Sequence, residues 1–366
     1  MESCGLAQAA GSGSGRSGRG RRRHSGGSAV SADLGRLVEL VEQFPQQRVV
    51  VLGDFVADEY VFGEISRVSR EAPVLILRHR KRELVPGGAA NTANNLAALG
   101  AAVVPVSLVG DDEAGHALLE HFRRCGVPTR SILRVRGWTT PVKTRFLAGW
   151  THSARQQVLR VDREPEGVPD ARVRAGLRQR LQREAARARA VLVADYGFGV
   201  ATPALVRRLR GKLVTLDSRH ALLDYARAGV YAATPNEPEL EALYHTCIGT
   251  DEQRLFTLGA RTLRRMGLAA LVVTRGRDGM VVFERGQPPR PIPIFGSDEA
   301  KDVTGAGDTV IAVFTLALAA GATPYEAAVL ANYAGGIVVM KRGTATVSRA
   351  ELLAAIRSEA TAARTP

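Results

Sequence analysis

Short runs of β-branched and other apolar residues recur along the chain, each followed by a stretch with helical spacing. Residues 48–54, Arg-Val-Val-Val-Leu-Gly-Asp, form the first run, and 103–109, 190–195, 212–217 and 270–274 repeat the pattern. A run that is apolar at every position rather than at alternate ones predicts a strand buried on both faces, as in a parallel sheet. Between the runs, apolar residues fall three and four apart over 91–99, 114–125, 170–189, 202–209 and 254–266, which predicts helices. Leu34, Leu37, Val38 and Val41 predict a shorter amphipathic helix over 33–44. Strands alternating with helices predict an α/β fold: a doubly wound, mostly parallel sheet with helices on both faces. Ligands of such sheets sit beyond the carboxyl ends of the strands, where Asp54, Asp195, Asp217 and Thr274 are expected to converge.

Two segments, about 60–85 and 134–163, break the alternation with short β-type patterns and no helix between them. They predict two hairpins forming a small β-sheet outside the main one. That sheet would serve as a lid over the crevice, as an edge or dimerisation surface, or as both. Residues 1–31 are Gly, Ser, Ala and Arg with almost no large apolar side chains, which predicts a disordered tail ahead of one folded domain over 32–366. Gly11-Ser12-Gly13-Ser14-Gly15 has no strand before it and no helix after it, so it is not a dinucleotide fingerprint.

Composition narrows the class further. With 366 residues and 45% hydrophobic content the chain can bury a large core. No apolar stretch reaches the ~18 residues of a membrane span and no secretory h-region is present, so no membrane partner is expected. Cys4, Cys125 and Cys247 are odd in number and widely spaced, the usage of a reducing, cytoplasmic protein without a disulfide framework or zinc site. The formal charge of +14 invites a nucleic-acid reading. Only five of the 50 basic residues are Lys, however, and beyond the tail they are interspersed with acids. Arg-rich coding accounts for this, and no specific nucleic-acid partner is expected.

The candidate chemistry lies in Asp302-Val303-Thr304-Gly305-Ala306-Gly307-Asp308, followed by the apolar run 309–320. This predicts a glycine loop opening a helix, whose first N–H groups and dipole suit a phosphate. Asp308 would then stand where a carboxylate can take a proton from an attacking hydroxyl; an ordinary N-cap is the plainer alternative. Pro86-Gly87-Gly88-Ala89-Ala90-Asn91 also precedes a helix, with glycines permitting close approach and an Asn able to donate and accept. Thr234-Pro235-Asn236-Glu237-Pro238-Glu239 opens another.

In this order, these three stretches resemble the signatures of the PfkB (ribokinase-like) carbohydrate kinases, over roughly residues 46–350. Within that family, Gly53-Asp54-Phe55-Val56-Ala57-Asp58, Ser66-Arg67-Val68-Ser69-Arg70-Glu71-Ala72-Pro73-Val74 and Thr274-Arg275-Gly276 are similar to the kinases acting on D-glycero-D-manno-heptose 7-phosphate, which are often fused to a nucleotidyltransferase. The resemblance implies ATP and Mg²⁺ as cofactors, a sugar phosphate as substrate, and a homodimer joined through the lid. It implies Asp308 as general base and the amides of Gly305, Ala306 and Gly307 as an anion hole. Asp58, Gly88 and Asn91 would hold the sugar. Asn236 and Glu239 would position the nucleotide phosphates and Mg²⁺, with Glu239 acting indirectly. Thr274, Gly276 and Asn332 would lie by the nucleotide, and Asp302 and Thr304 are candidate ligands of a monovalent cation such as K⁺. Arg67, Lys143, Arg145 and Arg160 of the lid segments are candidates for a phosphate already on the substrate.

The chain departs from the heptose-kinase pattern at two places. Asp195-Tyr196-Gly197-Phe198-Gly199 stands for Asp-Tyr-x-Lys-Gly, and Asp217-Ser218-Arg219 for Asp-Pro-Lys. Both changes bear on sugar identity and rate, not on the base. The readings left open are a kinase of another sugar, sugar phosphate or nucleoside, and a non-catalytic sugar-binding regulator on the same fold. A nicotinamide dehydrogenase is disfavoured, because no Gly-x-Gly-x-x-Gly follows the first strand.

Overall fold

The computed structural model describes residues 33–149, 155–297 and 300–362; the tail expected to be disordered lies outside the described residues. In chain order the elements are α1 (Leu34–Glu42), β1 (Arg48–Gly53), β2 (Phe55–Val68), β3 (Leu75–Gly88), α2 (Ala89–Ala98), β4 (Ala102–Gly110), α3 (Glu113–Arg124), β5 (Ile132–Val135), β6 (Val142–Gly149) and β7 (Gln156–Arg163). They continue with α4 (Ala171–Ala185), β8 (Ala190–Asp195), α5 (Pro203–Val206), β9 (Leu213–Ser218), β10 (Ala232–Ala233), α6 (Glu237–Tyr244) and α7 (Glu252–Met266). The last elements are β11 (Ala270–Thr274), β12 (Met280–Glu284), β13 (Arg290–Ile292), α8 (Ala306–Ala319), α9 (Pro324–Val338) and α10 (Arg349–Ala362).

Among the described residues the large sheet has nine strands in the order β13-β12-β11-β10-β9-β8-β1-β4-β5. Pairing is parallel from β5 to β11, and β12 and β13 add antiparallel. β1 shows why these strands read as unbroken apolar runs. Val49 and Val51 pack into one core with α1, α2, α3, α8, α9 and α10, while Val50 and Leu52 pack into a second core with α4, α5, α6 and α7. Burying such a side chain contributes about 1.5–3 kcal/mol, so each position on both faces is worth an apolar residue.

The antiparallel edge was not foreseen. The turn between β11 and β12 holds a single 3-10 segment, Gly276–Asp278, too short for the crossover that a parallel partner needs. The small sheet was foreseen, with different bounds: among the described residues it has four strands in the order β3-β2-β6-β7. Hairpins β2–β3 and β6–β7 are antiparallel, and β2 and β6 join them in parallel. The first hairpin starts at Phe55, earlier than expected. Residues 134 and 135, expected in the second, belong instead to β5, which pairs with β4 at the edge of the large sheet and tucks Ile132 into the core. Among the described residues no helix is long and apolar enough to cross a membrane.

Candidate active site

A cleft of about 510 Å³ opens beyond the carboxyl ends of the parallel strands and beneath the small sheet. Asp195 from β8, Asp217 from β9 and Thr274 from β11 all line it, as the strand ends suggested. Asp54 does not. It is buried beneath the cleft, where its carboxylate accepts from the N–H groups of Tyr196 (2.8 Å), Phe198 (3.3 Å) and Val200 (3.0 Å). Burial, the largest influence, pushes its pKa up to about 6.

The far wall is the N-terminus of α8. Gly305 caps the helix at φ 77°, a left-handed conformation that suits glycine. A side chain there would also strike Asn91, since a Cβ would lie 2.6 Å from its Nδ2. The amides of Gly307 and Asp308 fall in the first turn, where the helix offers no partner. A Cβ on Gly307 would meet nothing within 4 Å, so packing does not require that glycine and the space in front of it is open. Asp302 holds the loop before the helix: Oδ1 accepts from Thr304 N (2.9 Å) and Oδ2 from Gly343 N (2.8 Å). Both oxygens therefore serve backbone turns; Thr304 lines the cleft beside them.

Asp308 is buried in the first turn of α8 and fixed by its neighbours. Tyr196 donates its hydroxyl to Oδ1 at 2.5 Å, Thr92 reaches the same oxygen at 3.4 Å, and Asn91 Nδ2 donates to Oδ2 at 2.8 Å. Burial raises its pKa to about 6 against the pull of the Tyr196 and Asn91 hydrogen bonds. Asn91, expected to hold the sugar, is instead fully buried and does not line the cleft. Asn95 donates to Asn91 Oδ1 (3.1 Å), and Thr309 donates to Asn95 Oδ1 (3.1 Å). Polar groups sealed between α2 and α8 must satisfy one another, so Asn91 serves Asp308. The spacing Asn91–Asn95 inside an apolar helix was the available signal.

Asp58 lines the cleft from β2, with Oδ1 accepting from Arg145 Nη1 at 2.6 Å and Oδ2 from Thr344 Oγ1 at 3.0 Å. Gly88 lines it beside Asp58. Lys143, Arg145 and Arg160 of the small sheet reach the same cleft. Lys143 is half-buried with its ammonium 5.2 Å from the centre of the Tyr196 ring, and burial lowers its pKa against the attraction of Asp58. Arg160 pairs with Asp162 of its own strand. Arg67 is not brought in. It lies exposed far along β2, opposite Ile76, about 25–30 Å from Asp58 at the rise of an extended strand.

Asn236 and Glu239 line the cleft and also form a capping box on α6: Asn236 Oδ1 accepts from Glu239 N (2.8 Å), and Glu239 Oε2 accepts from Asn236 N (2.9 Å). Burial raises the pKa of Glu239 against these contacts. That of Asp217 is pushed well above the carboxylate range, by burial first and then by Glu239, Asp308 and Asp195. Crowded carboxylates of this kind would be relieved by a divalent cation. Among the described residues no group of three or more His, Cys, Asp or Glu could hold a metal ion by itself. Glu239 and Asp217 offer oxygen donors on this side of the cleft that would suit Mg²⁺.

A second, largely apolar pocket of about 180 Å³ adjoins the cleft and shares Thr274, Val303 and Gly307 with it. Gly276, Ala306, Val310 and Asn332 line it. Asn332 donates its amide to the Pro293 carbonyl at 2.8 Å, which holds α9 against the segment after β13. The pocket meets the cleft at Gly307. The residues that sequence reasoning did not assign are Tyr196, Arg219, Thr92 and Thr344. Arg219 lines the cleft, and its charge opposes the shifts of Asp217 and Glu239.

Comparison with known proteins gives the chain its relatives. Bifunctional protein HldE of Geobacter metallireducens is 42% identical over 311 residues, covering 83% of this chain and 62% of that protein. Bifunctional protein HldE of Desulfatibacillum aliphaticivorans is 38% identical over 327 residues, covering 87% of this chain and 65% of that protein. The chain thus spans between 62% and 65% of the length of these relatives. Among solved structures, ribokinase from Arabidopsis thaliana complexed with ribose and ATP superposes with a TM-score of 0.66 at 22% identity, over 85% of this chain and 99% of that one. Phosphofructokinase-2 from Escherichia coli in complex with substrates and products gives 0.67 at 17% identity, over 85% and 99%. The structures share the fold. The profile of the pfkB family carbohydrate kinases matches residues 46–351, and the chain belongs to that family: it is a phosphotransferase that acts on a sugar hydroxyl.

Proposed function

We propose that the chain transfers the terminal phosphoryl group of ATP to O1 of D-glycero-D-manno-heptose 7-phosphate, a step towards ADP-heptose. The observation that carries the reading is the opposition of two features across one cleft: the open helix terminus at Gly307 with Asp308 behind it, and the cations of the small sheet in front. Asp308 takes the proton from the acceptor hydroxyl as its oxygen forms a bond to the terminal phosphorus. The bond from that phosphorus to the bridging oxygen breaks, and ADP leaves with the electron pair. The amides at the start of α8 face the charge on the transferring group. Mg²⁺, where bound, neutralises the donor phosphates. Arg219 adds a fixed positive charge to the cleft. Asp58 accepts from sugar hydroxyls, and Lys143 and Arg160 hold the phosphate that the substrate already carries. Asp302 and Thr304 remain the candidate positions for a monovalent cation.

ADP release with heptose 7-phosphate, fructose 6-phosphate, ribose and adenosine tests the substrate. The heptose phosphate is expected to be turned over at least 100-fold better by kcat/KM. Turnover of another compound would retain the kinase and discard this sugar. Lys143→Ala and Arg160→Ala are each expected to raise KM for the phosphorylated sugar by about 10- to 100-fold, the worth of one charged hydrogen bond. KM for ATP should stay unchanged; a rise in both would place these cations elsewhere.

The same reading includes a homodimer joined through the small sheet. Val68 and Leu75 at the tip of the first hairpin, Val74 in its turn, and Val158, Leu159 and Val161 on β7 have 41% to 58% of their surface exposed, and such exposed apolar residues suit a second copy of the chain. Sedimentation should give a dimer for the native chain and a monomer for the Leu159→Asp/Val161→Asp double variant. A native monomer at micromolar concentration would refute the assembly.

A further inference from the structure

The group nearest the proposed base is a phenol to which the motif comparison gives no role and which the proposed chemistry does not use. Tyr196 donates its hydroxyl to Asp308 Oδ1 at 2.5 Å. Its position is set by the backbone around it. Asp54 accepts from the N–H groups of Tyr196, Phe198 and Val200, and Asp195 Oδ1 accepts from Gly197 N at 3.0 Å. Gly197 and Gly199 take φ values of 89° and 83°, which few other residues would adopt. Lys143 approaches the Tyr196 ring. The phenol is thus pinned on the base through a loop whose own carboxylate anchors are buried.

We infer that Tyr196 is a positioning residue for phosphoryl transfer: its hydroxyl occupies Asp308 Oδ1 and fixes the carboxylate as an anion in one rotamer. Tyr196 on Oδ1 and Asn91 on Oδ2 hold the carboxylate from both oxygens, while the single proton of Thr92 lies as close to the Gly88 carbonyl (3.3 Å) as to Oδ1 (3.4 Å). A buried carboxylate without donors favours its neutral form, and a neutral acid cannot act as the base. The charges facing Asp308 are Asp58 from β2, Lys143 from β6 and Asp217 from β9. Asp58 is itself paired with Arg145, and Lys143 is the cation among them. The short hydrogen bond from Tyr196 therefore acts with Lys143 and Asn91 to keep the base charged.

The experiment labels the aspartate carboxyls with ¹³C and titrates the Asp308 resonance, assigned by its loss in Asp308→Asn, in the full chain without substrate. Tyr196→Phe is expected to move the midpoint up by about one pH unit or more, the effect of removing one charged hydrogen bond. Tyr196→3-fluorotyrosine, a stronger donor that keeps the shape, is expected to move it down. The acid limb of kcat/KM should follow both shifts; this part alone rests on the kinase reading. A midpoint that stays in place in both variants, or that moves the same way in both, would overturn the inference. Absence of turnover on any sugar would refute the kinase reading, while the titration would still decide the role of Tyr196.

Discussion

Asp308→Asn is expected to lower kcat by about 10³-fold, within the range associated with a general base, and to leave KM for ATP nearly unchanged. The carboxylate is the group at the helix terminus that can take a proton, and an amide of the same shape cannot. In the native enzyme the acid limb of kcat/KM should fall with unit slope below about pH 6, because burial raises the Asp308 pKa to about 6. Loss of function should come without loss of fold. A carboxyl whose pKa is raised on folding adds stability that is present below its unfolded value of about 3.8 and lost as pH rises through about 6. Above pH 6 the native chain therefore bears the cost of a buried charge that Asn removes. The variant's melting temperature at pH 7.5 should equal or exceed that of the native chain. Activity within tenfold of native would sink the assignment; a collapsed melting temperature would show that Asp308 is structural instead.

The fold was readable because its strands are buried on both faces. That condition alone makes Val49 to Leu52 apolar at every position, and it recurs in β8 and β11. The hairpins of the small sheet were readable by contrast, since much of them meets solvent and no helix intervenes. β5 was misplaced because four residues carry too little pattern to choose a sheet, and its pairing with β4 is a tertiary contact. In the site, the glycines and Asp308 were legible because a turn and a helix terminus are local. Asn91 was legible as a residue that matters, but not in its role. A side chain that can donate and accept suits a sugar or a carboxylate equally, and the packing of α2 on α8 decides between them. Tyr196 was invisible for the same reason: nothing in Asp195-Tyr196-Gly197 says that the phenol will meet a carboxylate more than 100 positions later. Arg67 shows the converse error, since a cation in the right hairpin stands at the wrong end of a long strand.

Gly305→Ala and Gly307→Ala should both disable the enzyme, and stability should separate them. At Gly305 the backbone is left-handed and a Cβ would lie 2.6 Å from Asn91 Nδ2. The methyl group strains the turn by roughly 1–2 kcal/mol and displaces the amide that holds Asp308. Lower melting temperature and a fall in kcat of about 10²- to 10³-fold should appear together. At Gly307 a Cβ would meet nothing within 4 Å. Alanine there suits the first turn better than glycine, by up to about 1 kcal/mol, so the melting temperature should hold or rise slightly. The methyl group would nonetheless project towards the space that a transferring phosphoryl group must enter, and kcat should fall by about 10²-fold. Packing cannot explain a stable but inactive Gly307→Ala, whereas an anion seated against the amides can. Full activity in that variant would mean that the phosphoryl group passes elsewhere, and the helix terminus would lose its place in the mechanism even if Asp308 kept its own.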